Sequence, residues 1–175
     1  MGDVTKHFDF REFTCKCGCS LNRTDKEFIR KLETMYEYLE KTVDGVSAII
    51  INSGYRCNKQ SSNLYGAKIG DTHNLGFAAD LYAIKSDGCT RWSAYSLAAV
   101  AEKLGFNGIG IITDYDIHVD TRTIDKYVNS HWFGNEITGN NNIVTFAEYL
   151  PAMKINNKHK ITVIIDGKTV YESEV

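Results

Sequence analysis

The stretch GDTHNLGFAADLYAI, residues 70–84, begins as a turn-rich segment and ends as an apolar strand. Gly76 permits a tight passage between the two, and the run FAADLYAI after it is typical of a buried strand. Asp80 nevertheless lies within this apolar run. A carboxylate is costly to bury unless a positive charge compensates it. The stretch therefore predicts a strand that carries a charged side chain for a functional reason.

Strands and helices alternate on both sides of this stretch. Apolar residues recur at three- and four-residue steps over residues 25–41, which predicts an amphipathic helix capped by Thr24 or Asp25. VSAIIINSGYR then predicts a buried strand, and the polar residues 58–75 predict a long loop of the kind that is usually functional.

The second half of the chain continues the alternation. RWSAYSLAAVAEKLGF predicts a helix that ends at Gly105, and GIGIITDYDIHVDT predicts two strand segments interrupted at Thr113 and Asp114. Antiparallel pairing is expected for these two segments. The predicted class is therefore α+β, with a small antiparallel sheet and flanking helices.

The end of the chain, KITVIIDGKTVYESEV, alternates on both sides of Asp166 and Gly167, which predicts a β-hairpin. Pro151 precedes it, so we predict one domain over residues 1–150, followed by a linker and hairpin over residues 151–175. A solitary hairpin is marginally stable in water. It must pack on the main domain, pair with another chain or begin a truncated module.

Composition excludes several partners. The formal net charge of −2 over 175 residues argues against a nucleic-acid partner, which usually requires a basic surface. No run of 18 apolar residues predicts membrane insertion, and the N-terminus lacks the apolar region of a secretory signal. We therefore expect a protein made without a signal peptide and cytoplasmic until it is released. The sequence does not indicate the oligomeric state.

The segment DIHVD carries the second group of polar residues. Asp116, His118 and Asp120 alternate with two aliphatic residues, so a strand would place all three on one face. Together with His73 and Asp80, which are seven residues apart, His118 supplies two nitrogens and one oxygen. Three such ligands with a fourth position for water are typical of catalytic zinc sites. The alternative for the first pair is a surface histidine and a capping aspartate.

Three blocks of the chain resemble a known family. They are SGYR at 53–56, THNLGFAAD at 72–80 and GIGIITDYDIHVDTR at 108–122. In order and spacing they are similar to the signature blocks of the zinc D-Ala-D-Ala carboxypeptidase family. That family also includes vancomycin-resistance D,D-dipeptidases, L-alanyl-D-glutamate endopeptidases of phage lysins and the zinc fold of hedgehog domains. The resemblance covers about residues 7–150 and implies a hedgehog/D,D-peptidase-like fold with zinc in the sheet cleft.

The resemblance also implies an activity and a ligand set. The activity is a zinc metallopeptidase that acts at the cell wall on the stem or cross-link peptides of peptidoglycan, in the manner of a carboxypeptidase, an endopeptidase or a phage endolysin. The zinc ligands fall on His73, Asp80 and His118. The arginine that binds the peptide falls on Arg56, whose planar fork suits a carboxylate or a developing oxyanion.

The chain departs from the family pattern at two positions. Asp71 stands where the family usually has serine, and Tyr115 stands where several members have the catalytic acid. The acid/base is therefore predicted to be Asp120, which alternatively orients the zinc ligand, or else Asp116.

The cysteines leave three alternatives open. FTCKCGCS sets Cys15, Cys17 and Cys19 within five residues, and Cys57 directly follows the predicted peptide-binding arginine. These thiols suit a structural zinc, although the usual signal is C-x-x-C. A disulfide to Cys57 and packing of small residues are the other two alternatives. Cys89 has no evident partner.

Two further classes of function compete with the peptidase. A zinc-bearing, non-catalytic binding module of the hedgehog-like fold would keep the metal but could dispense with Asp116 and Asp120. A phage structural protein with a vestigial site would have lost metal ligands. The complete ligand set and the two aspartates favour the enzyme.

Overall fold

The computed structural model describes residues 2–122, 132–150, 160–165 and 168–174. Within these ranges the α-helices are α1 (Lys26–Glu40), α2 (Asn58–Asn63), α3 (Thr72–Leu75) and α4 (Ala94–Lys103). The strands are β1 (Ala48–Ser53), β2 (Ala78–Ile84), β3 (Gly108–Ile111), β4 (Ile117–Asp120), β5 (Trp132–Asn135), β6 (Lys160–Ile165) and β7 (Lys168–Glu174). The predicted α+β class is confirmed.

The first long helix forms where the apolar periodicity predicts it. The Asp25 side chain caps α1 by accepting hydrogen bonds from the backbone N–H groups of Glu27 and Phe28, at 2.7 and 3.0 Å. One face of the helix is buried and consists of Phe28, Ile29, Leu32, Met35, Tyr36 and Leu39. The Phe28 ring meets the edge of Phe106, with ring centroids 6.4 Å apart, which joins α1 to the chain just after α4.

Five strands form one sheet in the order β1-β2-β4-β3-β5. Their neighbours are antiparallel, as expected, apart from β3 and β5, which are parallel and make the sheet mixed. The reason lies in the register, since Gly108 pairs with both Asp120 at the end of β4 and Trp132 at the start of β5. The chain leaves β4 and enters β5 at the same end of the sheet, so β5 must run in the direction of β3.

The sheet has one apolar and one polar face at its centre. Alternate residues of β2, β3 and β4 join the buried residues of α1 and α4 in a single core; these strand residues are Ala79, Leu81, Ala83, Ile109, Ile111, Ile117 and Val119. Period-two alternation sends Asp80, His118 and Asp120 to the opposite face. The helices α1 and α4 thus cover one side of the sheet, and the polar side remains for a site.

The structure differs from the predicted loop over residues 58–75 and agrees with the predicted pairing at the chain end. Residues 58–75 were expected to form a loop, but they contain the short helices α2 and α3. At the chain end, β6 and β7 pair antiparallel, as the predicted hairpin requires. The linker residues 151–159 and the turn at Asp166 and Gly167 lie outside the described residues. In the described part of the chain, every helix is too short or too polar to span a bilayer.

Candidate metal centre and cavity

Strand register brings two of the predicted ligands together. Asp80 of β2 lies directly opposite His118 of β4 in the antiparallel pairing, so both side chains leave the polar face of the sheet side by side. His73 reaches the same point from α3, which ends shortly before β2 begins. The three residues come from different elements and converge only through the fold.

The spacing between His73 and Asp80 depends on how α3 ends. Asp71 caps the start of this one-turn helix by accepting the N–H of Asn74 at 2.8 Å. Gly76 ends it in the left-handed conformation, with φ at +87°. A Cβ at Gly76 would lie 2.2 Å from the carbonyl oxygen of Arg23, so the position tolerates glycine alone. The glycine turns the chain from the helix into β2.

Three ligand atoms form a nearly equilateral triangle. His73 Nε2 lies 3.1 Å from Asp80 Oδ1 and 3.1 Å from His118 Nδ1, and His118 Nδ1 lies 3.0 Å from Asp80 Oδ1. A tetrahedral zinc ion with bonds of about 2.0 Å holds its ligand atoms about 3.3 Å apart. The triangle has the size of one face of such a tetrahedron.

The outer nitrogens of both imidazoles face hydrogen-bond acceptors. His73 Nδ1 lies 2.8 Å from the carbonyl oxygen of Gly54, and His118 Nε2 lies 3.1 Å from Asp120 Oδ2. In the neutral rings these outer nitrogens carry the proton, which leaves the two inner nitrogens with lone pairs directed at each other and at Asp80. Three electron-rich atoms in contact require a cation between them. The donor set therefore fits a metal ion.

The pKa values reflect the same need for positive charge. Burial lowers the pKa of His118, but hydrogen bonds and charges from Asp120 and Asp80 outweigh burial and raise it to about 9. Burial raises the pKa of Asp80, yet hydrogen bonds to His118 and His73 hold it well below its usual range. Both shifts have one cause, the close approach of the Asp80 and Asp120 carboxylates to the two imidazoles.

Asp120 lies on the outer side of His118, away from the ligand triangle. It is fully buried, and both of its oxygens accept hydrogen bonds from the Arg122 guanidinium. Burial raises the pKa of Asp120, but Arg122 and His118 together hold it below its usual range. Gly108 makes room for this carboxylate, because a Cβ at Gly108 would lie 2.1 Å from Asp120 Oδ2.

Asp116 directly precedes β4. Its carboxylate accepts hydrogen bonds from the Asn52 amide and the Thr113 hydroxyl, each at 2.5 Å. It does not line the cavity described below. The structure thus brings His73, Asp80, His118 and Asp120 together and leaves Asp116 apart.

Arg56 lies beside the ligand triangle. β1 ends at Ser53, which pairs with Asp80. Arg56 follows three residues later, so its side chain lies close to the Asp80 carboxylate. The Arg56 guanidinium forms an ion pair with Asp80 Oδ2, and its Nε donates to Ser53 Oγ at 2.9 Å. Its side chain is 17% exposed, so the guanidinium lies at the boundary between metal centre and solvent.

The triangle opens into a cavity of about 510 Å³. Its wall includes two residues to which the sequence analysis assigned no role, Trp132 of β5 and Glu136 just after it. The Trp132 and His118 rings pack edge to face, with their centroids 6.0 Å apart. The Arg122 guanidinium carbon lies over the Trp132 ring, 5.6 Å from its centroid. Arg122 was detectable, since it continues the alternation of His118 and Asp120. No sequence signal distinguished Trp132 or Glu136.

The four predicted cysteines also converge. The Sγ atoms of Cys15, Cys17, Cys19 and Cys57 all lie within 4.8 Å of one another, so this group could hold a metal ion. Cys89 is exposed and does not belong to this group.

The geometry defines a metal centre of the two-histidine, one-carboxylate type at the floor of a cavity. Comparison with family models agrees with this class: the model described as Peptidase M15 matches residues 6–120. The chain therefore belongs to the Peptidase M15 family, a family of zinc-dependent metallopeptidases. Neither curated proteins nor solved structures gave a significant match. The matched range ends at Asp120, before Arg122, Trp132 and Glu136.

Proposed function

We propose that this protein is a zinc-dependent peptidase that hydrolyses peptide bonds in bacterial peptidoglycan. The bond is of the D-Ala-D-Ala carboxypeptidase or L-Ala-D-Glu endopeptidase type, and a phage endolysin is a suitable setting. The observation that carries the proposal is the convergence of three metal-ligand atoms on the floor of an open cavity in a Peptidase M15 chain.

His73 Nε2, His118 Nδ1 and Asp80 Oδ1 are the atoms that would hold the zinc ion. When bound, zinc polarises a scissile carbonyl and lowers the pKa of a coordinated water. The protein contributes the fixed tautomers of both histidines, because Gly54 and Asp120 accept their outer protons. This arrangement keeps the inner nitrogens available as ligands.

Arg56 is proposed to bind the substrate. Its guanidinium lines the cavity and contacts the ligand Asp80, so it lies next to the position of the reacting carbonyl. A planar cation there can bind a peptide carboxylate or stabilise the negative charge that develops on the carbonyl oxygen.

We infer that Glu136 transfers the proton in this reaction. A general base must reach the attacking water, and among the residues that the structure describes three carboxylates line the cavity: Asp71, Asp80 and Glu136. Asp71 accepts hydrogen bonds from the backbone at both oxygens, and Asp80 is engaged by the histidines and Arg56. Glu136 is exposed, and in the described part of the chain its carboxylate has no hydrogen-bond partner.

In this role Glu136 takes a proton from the water that attacks the carbonyl carbon. It then gives that proton to the nitrogen of the departing amine as the C–N bond breaks. Asp120, the base favoured by sequence reasoning, is proposed instead to orient His118, because it is fully buried and lies on the outer side of the ring. Asp116 is proposed to hold the turn before β4 through its contacts with Asn52 and Thr113.

Digestion of purified peptidoglycan tests the function. The zinc-loaded protein should create new termini that mass spectrometry identifies: free D-Ala indicates a carboxypeptidase, and a new amino-terminal glutamate indicates the endopeptidase. His118→Ala should abolish cleavage and zinc binding at the His73, Asp80 and His118 centre. His7→Ala is the matched control, since this imidazole stacks on Tyr36 and does not line the cavity. Peptidoglycan binding without any new terminus would favour a non-catalytic module.

A further inference from the structure

The four-cysteine group lies apart from the main core. Cys15, Tyr55 and Cys57 form a small buried cluster with Cys17 packed against it, separate from the core that joins the helices and the sheet. So small a cluster buries little apolar surface, and hydrophobic stabilisation scales with that surface. Residues 14–19, which follow the core residue Phe13, therefore gain little attachment from apolar packing.

The sulfur positions suit a metal ion better than a disulfide or simple packing. Cys17 Sγ lies 3.5 Å from Cys15 Sγ and 3.5 Å from Cys57 Sγ, so no single pair is favoured for a disulfide. Simple packing would bury all four side chains, whereas Cys19 is exposed and Cys17 is half-buried. A tetrahedral zinc ion with Zn–S bonds of about 2.3 Å holds its sulfurs about 3.8 Å apart, close to these separations.

The local backbone favours thiolate ligands. The backbone N–H of Cys57 donates to Cys15 Sγ at 3.4 Å. Cys15 and Cys57 are 42 residues apart in sequence, and a tight turn over residues 16–19 brings the remaining two sulfurs back to this pair.

We propose that Cys15, Cys17, Cys19 and Cys57 bind one thiophilic divalent metal ion, of which Zn2+ is the representative, and that this ion is structural. It fastens residues 13–19 to the segment 54–57. That segment also supplies the Gly54 carbonyl that holds His73 and the Arg56 guanidinium that contacts Asp80. The second ion thus supports the position of two groups at the cavity. Its existence does not depend on the proposed peptidase activity.

Metal stoichiometry of the purified full-length chain tests this proposal. The reduced wild-type protein should contain two zinc ions per chain. Cys17→Ser should contain one, and the matched control Cys89→Ser should keep two, because Cys89 lies outside the group. His118→Ala should also contain one zinc, held by the cysteines, so failure at either centre can be told apart from failure at the other.

Cobalt substitution of the wild-type chain tests the proposal even if Cys17→Ser does not fold. Cobalt bound to four thiolates gives an intense sulfur-to-metal charge-transfer band in the near-ultraviolet, which histidine and carboxylate ligands do not give. We expect this band in the wild type and in His118→Ala. A wild-type chain that binds a single metal, lost in His118→Ala and without the charge-transfer band, would overturn the proposal. So would a mass lower by two hydrogens that identifies a disulfide within the four cysteines.

Discussion

Asp120→Asn separates two roles for this carboxylate, orientation of His118 and proton transfer. The carboxylate serves two neighbours at once: Oδ2 lies 3.1 Å from His118 Nε2, and both oxygens accept from Arg122. An asparagine has one acceptor oxygen and cannot serve both. Because Asp120 is fully buried, water cannot replace the lost acceptor.

The expected loss is in metal affinity. Removing a group that orients a ligating imidazole lowers metal affinity by about 10- to 100-fold. We expect a value near the upper end, equivalent to about 2.7 kcal/mol, because the replacement is fully buried. The metal-free variant should also lose about 1 to 3 kcal/mol in its free energy of unfolding, since Arg122 loses its carboxylate partner.

Zinc affinity is measured by competition with a chromophoric chelator, and turnover by mass spectrometry of peptidoglycan products at saturating zinc. Asp120→Asn should recover much of its turnover once zinc is saturating. Glu136→Gln should bind zinc like the wild type and lose about 10²- to 10⁴-fold in turnover, the usual contribution of a general base. The opposite pattern, with normal zinc affinity and turnover lost in Asp120→Asn alone, would refute the reasoning.

Three other variants test the surrounding structure. Gly108→Ala would place a Cβ 2.1 Å from Asp120 Oδ2, so overpacking should lower the free energy of unfolding by about 1 to 3 kcal/mol and weaken zinc binding; an unchanged melting temperature would contradict this. Arg56→Lys keeps the charge but loses the planar fork, so kcat/KM on peptidoglycan should fall about tenfold or more, from a lost interaction of about 1.5 to 3 kcal/mol, while zinc content stays unchanged. Asp25→Ala removes the cap of α1 and should cost about 1 kcal/mol in urea unfolding without affecting zinc content; equal unfolding midpoints would show that the cap contributes nothing.

Local periodicity determined much of the fold. The helix over residues 25–41 and the strands around residues 48–53, 78–84 and 108–120 follow from apolar spacing, because each element buries one face against the same core. The alternation in DIHVD likewise determined that His118 and Asp120 leave the same face of β4. These features depend on neighbouring residues alone.

Tertiary structure decided what each polar residue of that alternation contacts. Asp116 directly precedes β4, which begins at Ile117, and its carboxylate accepts hydrogen bonds from Asn52 and Thr113. Asp120 lies behind the imidazole and pairs with Arg122. Periodicity states which side of a strand a residue occupies, but only three-dimensional packing states which neighbour it meets.

Contacts between distant segments were likewise decided by the tertiary structure. Glu136 directly follows β5, and the parallel pairing of β5 with β3 brings it to the cavity. β5 runs parallel to β3 because it begins at the same end of the sheet at which β4 ends. Cys57 lies beside Cys15 because the segment after β1 packs against the N-terminal segment. A hydrogen bond from the Tyr55 N–H to the Phe13 carbonyl joins the two segments. The sequence by itself determined the elements and the ligand types, whereas register and chain crossing, which depend on residues far apart in the chain, determined the site they build.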